Sequence, residues 1–142
     1  MLIRKSVNEV FNAFVEPRTL EKFWLRSASG PLANDAKVEW EFMVKGARET
    51  VTVTEFLVNR LIAFTWSNGT AVRMTFEPSA ESTKLSITAT GFTGRDAPSQ
   101  AVNATEEFTV VVCDLKSLLE TGQSGNLVRD KAALIAAGKA DA

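Results

Sequence analysis

The feature that most constrains the fold is the stretch Glu106–Glu120, EEFTVVVCDLKSLLE, which has the length and spacing of an amphipathic helix. The FTVVV segment alone would favour a strand, but the helical period continues through LKSLLE without a breaker. We therefore predict a long helix that covers the core with its apolar face and exposes Asp114 and Lys116 to solvent. That apolar face consists of Phe108, Val111, Val112, Leu115, Leu118 and Leu119.

Length and composition favour a single domain. The chain has 142 residues, of which 45% are hydrophobic and 23% are charged. A chain of this size can bury roughly two thirds of its unfolded surface without disulfides or metals. We expect one domain over residues 1–142, with a core of residues 1–122 and a C-terminal tail of residues 123–142 that contains a short helix.

Charge and residue usage exclude several functional classes. A net charge of -1 gives no electrostatic reason to expect nucleic acid or an anionic membrane as a partner. No apolar run reaches the roughly 18 residues that a membrane span needs, so a cytoplasmic location is the default expectation. The chain has no histidine, no tyrosine and a single cysteine, Cys113, so we expect neither a metal site nor a cofactor.

The first third of the chain is predicted to contain a short strand and two small helices. Leu2–Lys5 is the strand candidate, and Ser6 is a plausible N-cap because Glu9 stands three residues later as a capping-box partner. A second short helix is expected over Arg18–Trp24, after a proline that suits a first turn. The following Ser27–Asp35 is rich in turn residues and is predicted to be a loop.

From residue 37 the apolar period changes from about 3.6 to about 2, which indicates strands. Short turn segments join them, so the pattern predicts an antiparallel meander with one polar and one apolar face. A long helix should follow from Pro98 or Ser99 and end at Gly122, which gives an α+β domain. The predicted strands are Val38–Val44, Glu49–Val58, Leu61–Trp66, Val72–Glu77 and Lys84–Thr90.

Four segments resemble motifs of the START-like (SRPBCC) superfamily, and of its Hsp90-ATPase-activator-homologue-like (AHSA1-like) branch in particular. They are, in chain order, NEVFNAFVEPRTLEKFW, TEFLVNRLIAFTW, LSITATGF and FTVVVCDLKSLLETG. The resemblance implies a helix-grip (START/Bet v 1-like) fold, in which a curved antiparallel sheet wraps around a long C-terminal helix. It also implies an apolar cavity between sheet and helix. Two positions depart from the branch, since Ala89 replaces a histidine and Phe108 replaces a tryptophan.

The function that this resemblance implies is the binding of a small hydrophobic molecule, either lipid-like or aromatic. The alternative for the same residues is that they fill one another's gaps as a solid core. Two further functions stay open, namely an enzyme of the cyclase or hydrolase type and a protein-interaction domain of the co-chaperone type. The candidate ligand-binding residues are Trp40, Phe42, Glu55, Trp66, Met74, Phe76, Ile87, Phe108, Val112 and Leu115.

Glu55 is the only one of these ten candidates with an ionisable side chain. By strict alternation it shares a face with Val51 and Val53, where burial would disfavour its charged form. In the functional interpretation, Glu55 holds a ligand or acts as the general base of the enzyme alternative. In the structural interpretation, which is favoured, it pairs with Arg60 or Arg73, or a bulge turns it outward.

The first predicted strand is shorter than is usual in the branch that the chain resembles. A short strand leaves part of a sheet edge uncovered, and an uncovered edge is a surface on which another chain can pair. Together with the habits of the branch, this suggests a homodimer.

Overall fold

The computed structural model describes residues 1–141, with side chains through residue 138. Its strands form one antiparallel sheet in the order β1-β7-β6-β5-β4-β3-β2, and its four helices include a long one near the C-terminus. This arrangement confirms the predicted α+β class. The elements are β1 (Leu2–Ile3), α1 (Val7–Val15), α2 (Pro17–Phe23), β2 (Leu25–Ala28), β3 (Lys37–Phe42), β4 (Arg48–Leu57), β5 (Leu61–Thr65), β6 (Ala71–Ser79), β7 (Ser82–Thr90), α3 (Ala97–Thr121) and α4 (Leu127–Asp141).

The sheet contains the five predicted strands of the meander and two short edge strands. At one edge, β1 spans only Leu2–Ile3, two residues fewer than predicted, and pairs with β7. At the other edge, β2 pairs with β3, whereas the sequence analysis placed part of this segment in a loop. The prediction missed β2 because its residues, LRSA, have little strand propensity, and pairing with β3 holds them in place.

The residues predicted to cap or begin the helices lie at helix ends, although α2 and α3 each begin one residue earlier than predicted. The Ser6 hydroxyl accepts a hydrogen bond from the amide of Glu9 at 3.3 Å and so caps α1. Pro17 occupies the first turn of α2, where its missing N–H costs nothing. Gly122 ends α3 in the left-handed conformation, with φ of 83°, and its amide donates to the carbonyl of Leu118.

One half of the inner sheet face is filled by aromatic rings. The ring of Phe11, from α1, contacts those of Phe56 and Phe76 edge to face, with centroids 5.3 and 5.2 Å apart. Phe14 adds a similar contact to Phe76 at 6.0 Å. Such edge-to-face pairs stabilise a core beyond the area that they bury. The α1 and α2 end of the sheet is therefore a solid core, and any space for a ligand must lie elsewhere.

Helix α3 buries the predicted apolar face, but one of its charged residues, Asp114, is buried where a solvated position was predicted. Val111, Val112 and Leu115 are buried, as the spacing predicted. Asp114 is only 1% exposed, although we expected it to be solvated. Its carboxylate accepts hydrogen bonds from the Ser124 hydroxyl and the Gly125 amide, both at 2.6 Å, so it fixes the turn that follows α3.

Helix α4 is longer than the short helix predicted for the tail. It begins at Leu127 and continues to Asp141, and it packs against α3 through Ala132, which is buried. The last residue of the predicted tail, Ala142, lies outside the described residues. No helix in the described part of the chain is both long enough and apolar enough to cross a membrane.

Candidate functional site

A cavity of about 470 Å³ lies between the inner sheet face, α3 and α4. It is at the sheet end where the β3–β4 turn, the β5–β6 turn and the end of β7 meet, away from the solid core around α1. This volume falls in the range of small-molecule sites. Its apolar and aromatic lining consists of Trp24, Phe42, Met43, Val44, Ala47, Trp66, Ala89, Phe92, Ala104, Phe108, Val110, Val111, Val128, Ala132 and Ile135.

The polar lining of this cavity is mostly committed to hydrogen bonds within the protein. Glu49 accepts from the Ser67 hydroxyl at 2.6 Å and from its amide at 3.2 Å. Asn68 accepts, through its side-chain oxygen, from both the amide and the hydroxyl of Thr70. These bonds hold the β5–β6 turn closed at the cavity rim. The remaining polar lining residues are Gln100, Asn103, Glu107 and Lys131.

Lys131 joins α4 to α3 across the cavity. Its ammonium lies 3.0 Å from a carboxylate oxygen of Glu106, on the exposed side of α3. The pair is partly exposed, so its contribution to stability is small, on the order of 0.5 kcal/mol. The pair nevertheless links α4 to α3 beside the cavity.

Phe92 reaches the cavity because the chain turns sharply at Gly91. Gly91 has φ of 90°, in the left-handed region that favours glycine. A Cβ there would lie 3.4 Å from both the carbonyl oxygen of Gly69 and the Cα of Thr70, so β7 ends close against the β5–β6 turn. This turn directs the following phenyl ring between the sheet and α3.

A second cavity of about 320 Å³ lies on the other side of α3, beside β7 and the first residue of the chain. Its wall is less aromatic than that of the larger cavity. Both cavities touch the same four residues, so these residues form the partition between them. They are Ala89, Phe92, Ala104 and Phe108.

The structure brings five of the ten predicted ligand-binding residues to a cavity wall. Phe42, Trp66 and Phe108 line the larger cavity, and Ile87, Phe108 and Val112 line the smaller one. Four others are buried in the core and line neither cavity. Those four are Trp40, Met74, Phe76 and Leu115.

Trp40 supports the cavity wall from behind. Its rings lie 4.9 Å from those of Trp24 and 5.8 Å from those of Trp66, both of which line the cavity. Its indole N–H has no hydrogen-bond partner among the described residues, although the side chain is 1% exposed. The three tryptophans form one layer, and only the outer two meet the cavity.

Glu55 lies outside both cavities, which corrects the expectation from simple alternation. The β4–β5 register shifts between Val53 and Glu55, so β4 carries an extra residue at this point. Both Thr54 and Glu55 are consequently exposed, and Phe56 takes the inward position instead. The Glu55 carboxylate lies 3.1 Å from the guanidinium of Arg73 on the outer sheet face, which agrees with the structural interpretation.

The contribution of α4 to the cavity was not predicted from the sequence. Val128, Ala132 and Ile135 line it at i, i+4 and i+7, the spacing of one helical face. That spacing could have identified them, but the tail is alanine-rich and its apolar residues also extend to the opposite face, where Leu134 is 74% exposed. The periodic signal is therefore weak.

The described residues provide no basis for a metal centre. They contain no group of three or more His, Cys, Asp or Glu side chains that could hold an ion. Cys113 is a free, half-buried thiol on α3. The chemistry that the site offers is thus apolar and aromatic contact, with a few carboxylate, amide and ammonium groups at the rim.

The family model described as Activator of Hsp90 ATPase homolog 1-like protein matches residues 4–120. The chain belongs to this family. The match ends before α4, so the helix that closes the larger cavity lies outside the matched domain. A search of curated proteins finds no significant match.

Solved structures agree with this membership and with the helix-grip fold. Protein SSP2350 from Staphylococcus saprophyticus is 27% identical, with a TM-score of 0.78 over 87% of this chain and 90% of that one. The Aha1 dimer from Colwellia psychrerythraea is 19% identical, with a TM-score of 0.74 over 87% and 95%. DynU16, described as a putative protein of the dynemicin biosynthetic locus, is 23% identical, with a TM-score of 0.77 over 87% of this chain and 46% of that one.

Proposed function

We propose that this protein binds a small hydrophobic molecule in the larger cavity. The observation that carries the proposal is a space of about 470 Å³ with aromatic side chains on its sheet side and on α3. Sites of this kind gain affinity from apolar burial and orientation from a few polar groups. The membership of the chain in a helix-grip family supports the proposal, because the fold places such a space between sheet and helix.

A neutral fluorescent probe, N-phenyl-1-naphthylamine, tests this proposal. Its emission increases in apolar surroundings, and we expect saturable binding to the wild-type protein. Ala104 lines both cavities, so Ala104→Trp should fill the space and weaken binding by about tenfold or more, a loss of about 1.4 kcal/mol. The matched control is Val102→Trp, on the same helix but 67% exposed and outside both linings.

Equal binding by the two tryptophan variants would overturn the proposal, provided that circular dichroism shows both to be folded. Native mass spectrometry of freshly purified protein gives an independent reading. A small molecule that stays bound to the wild-type protein, and is lost from Ala104→Trp, would identify the occupant directly.

The other two functions draw less support from the site. The cyclase or hydrolase alternative used Glu55 as its base, and this carboxylate lies on the outer face with Arg73. The co-chaperone alternative rests on the name of the family alone. The co-chaperone alternative also leaves the aromatic lining of the cavity unexplained.

We also propose that the protein forms a homodimer. The support is that one structural neighbour, the Aha1 protein of Colwellia psychrerythraea, is described as a dimer, and that β1 covers only a short part of β7. Sedimentation velocity over a hundredfold range of concentration tests this. A sedimentation coefficient that stays at the monomer value throughout would contradict the proposal.

A further inference from the structure

The charged side chains at the rim of the larger cavity indicate which charge its ligand can have. Three charged side chains line the cavity, namely Glu49, Glu107 and Lys131. The lysine is already paired with Glu106 at 3.0 Å, so its positive charge is largely balanced by a residue outside the lining. Two carboxylates then dominate the local charge.

The two carboxylates differ in how they are held. Glu49 is fixed by two hydrogen bonds that its carboxylate accepts from the hydroxyl and the amide of Ser67. Glu107 makes no side-chain hydrogen bond or ion pair within the described residues, so its acceptor capacity is free. One carboxylate is thus a fixed negative group, and the other is available to accept a hydrogen bond from a guest.

The described cavity lining contains no arginine, which is the residue best suited to bind a carboxylate, sulfonate or phosphate head group. The aromatic wall also favours positive over negative charge, because the face of each ring is electron-rich. Phe42 and Trp66 form this wall with centroids 5.9 Å apart, and Trp24 and Phe108 continue it with centroids 5.7 Å apart. The aromatic wall and the carboxylates at the rim therefore both disfavour a negatively charged ligand.

We infer that the ligand is a neutral or positively charged aromatic molecule with hydrogen-bond donors, such as a polycyclic phenol or an aryl amine, and that anionic amphiphiles are rejected. This inference rests on the proposed binding function. It deepens that function by assigning selectivity to Glu49 and Glu107. A fatty-acid carboxylate would place its charge beside these groups without a free cation to bind it.

Two probes that share one aromatic skeleton test the inference. N-phenyl-1-naphthylamine is neutral, and 8-anilino-1-naphthalenesulfonate is the same skeleton with a sulfonate. We measure the ratio of their dissociation constants at low ionic strength, for the wild type and for the double variant Glu49→Gln, Glu107→Gln. Removing both carboxylates should reduce the preference for the neutral probe by about fivefold or more. The change in ratio decides the matter, because the intrinsic difference in probe hydrophobicity cancels.

Two further variants sharpen the test. Glu106→Gln releases Lys131 from its partner and should improve binding of the sulfonate probe selectively. Glu81→Gln removes one negative charge at the exposed β6–β7 turn, at the other end of the sheet, and should leave the ratio unchanged.

The outcomes separate this inference from the proposed function. If neither probe binds the wild type, the binding function fails and the inference fails with it. If both probes bind and the double variant keeps the wild-type ratio, the cavity binds ligands but its carboxylates do not select them, and the inference alone is overturned.

Discussion

At the scale of single residues, the position of Glu55 shows what alternation can and cannot predict. The pattern correctly places Val51 and Val53 on the inner face of β4. It fails after Val53 because the extra residue at the bulge reverses the alternation. A bulge depends on the register with the neighbouring strand, which the residues of β4 alone do not determine.

Replacing Glu55 tests whether this carboxylate has any part in ligand binding. Glu55→Gln should change the free energy of unfolding by less than about 1 kcal/mol, because the pair with Arg73 is half exposed. Binding of N-phenyl-1-naphthylamine should not change. Arg73→Gln is the matched control for loss of the pair, and a selective loss of probe affinity in Glu55→Gln would contradict the outer-face placement.

Asp114 is the buried acidic side chain on which the turn between α3 and α4 depends. Asp114→Ala leaves the Gly125 amide and the Ser124 hydroxyl without their acceptor, which should lower the free energy of unfolding by about 2–4 kcal/mol. Asp130→Ala, at an exposed position of α4, should cost less than about 0.5 kcal/mol. Urea unfolding measures both, and equal effects would show that the buried carboxylate does not stabilise this turn.

Glu120 makes stability depend on pH in the acid range. The hydrogen bond from the Lys116 ammonium, followed by that from the Arg4 amide, lowers the pKa of its carboxyl from the ordinary value of 4.5. A lowered folded-state pKa stabilises the protein above the unfolded-state pKa, and this contribution is lost as the pH falls through the folded-state value. Glu120→Gln should therefore reduce the dependence of thermal stability on pH below 4.5. Glu9→Gln is an exposed control, and an identical slope in wild type and Glu120→Gln would refute the assignment.

At the scale of helices and strands, the sequence was most informative where one element carries a long periodic signal. The apolar stripe of α3 and its glycine cap were predicted correctly because both are local properties of the residues. Strand β2 and the length of α4 were not, because pairing with β3 and packing against α3 stabilise them. The larger cavity was equally hard to predict from local patterns, since its walls come from six separate parts of the chain.

The docking of α4 can be tested by one substitution in its packed face. Ala132 is 8% exposed and lines the cavity, so Ala132→Glu buries a charge unless α4 moves away from α3. We expect faster hydrogen exchange across Leu127–Asp141 and weaker binding of N-phenyl-1-naphthylamine by about tenfold, a loss of about 1.4 kcal/mol. Ala133→Glu is the control at the next, exposed position, and equal probe affinity in both variants would show that α4 does not close the cavity.

At the scale of the whole molecule, the two ends of the sheet have different character. The end near α1 is filled by aromatic rings, whereas the end near α4 encloses the larger cavity. One hydrophobic cluster nevertheless contains residues of α1, α2, the strands and α3. The half with the cavity therefore depends on the solid half for its shape.

This shared core leads us to propose that the chain unfolds as one unit. Calorimetry should show a single transition whose calorimetric and van't Hoff enthalpies agree. A ligand of the larger cavity should raise the midpoint of that one transition, because it binds only the folded state. Two resolved transitions would instead indicate that α4, or the end with the cavity, unfolds independently.

The partition between the two cavities contains two phenyl rings, those of Phe92 and Phe108. Each ring touches both spaces, and the neighbouring partition residue on α3, Ala104, is small. Phenyl rings at partly exposed positions change rotamer in nanoseconds or faster. We propose that rotation of the Phe92 and Phe108 rings would join the two spaces, so that an elongated guest could enter without a backbone movement.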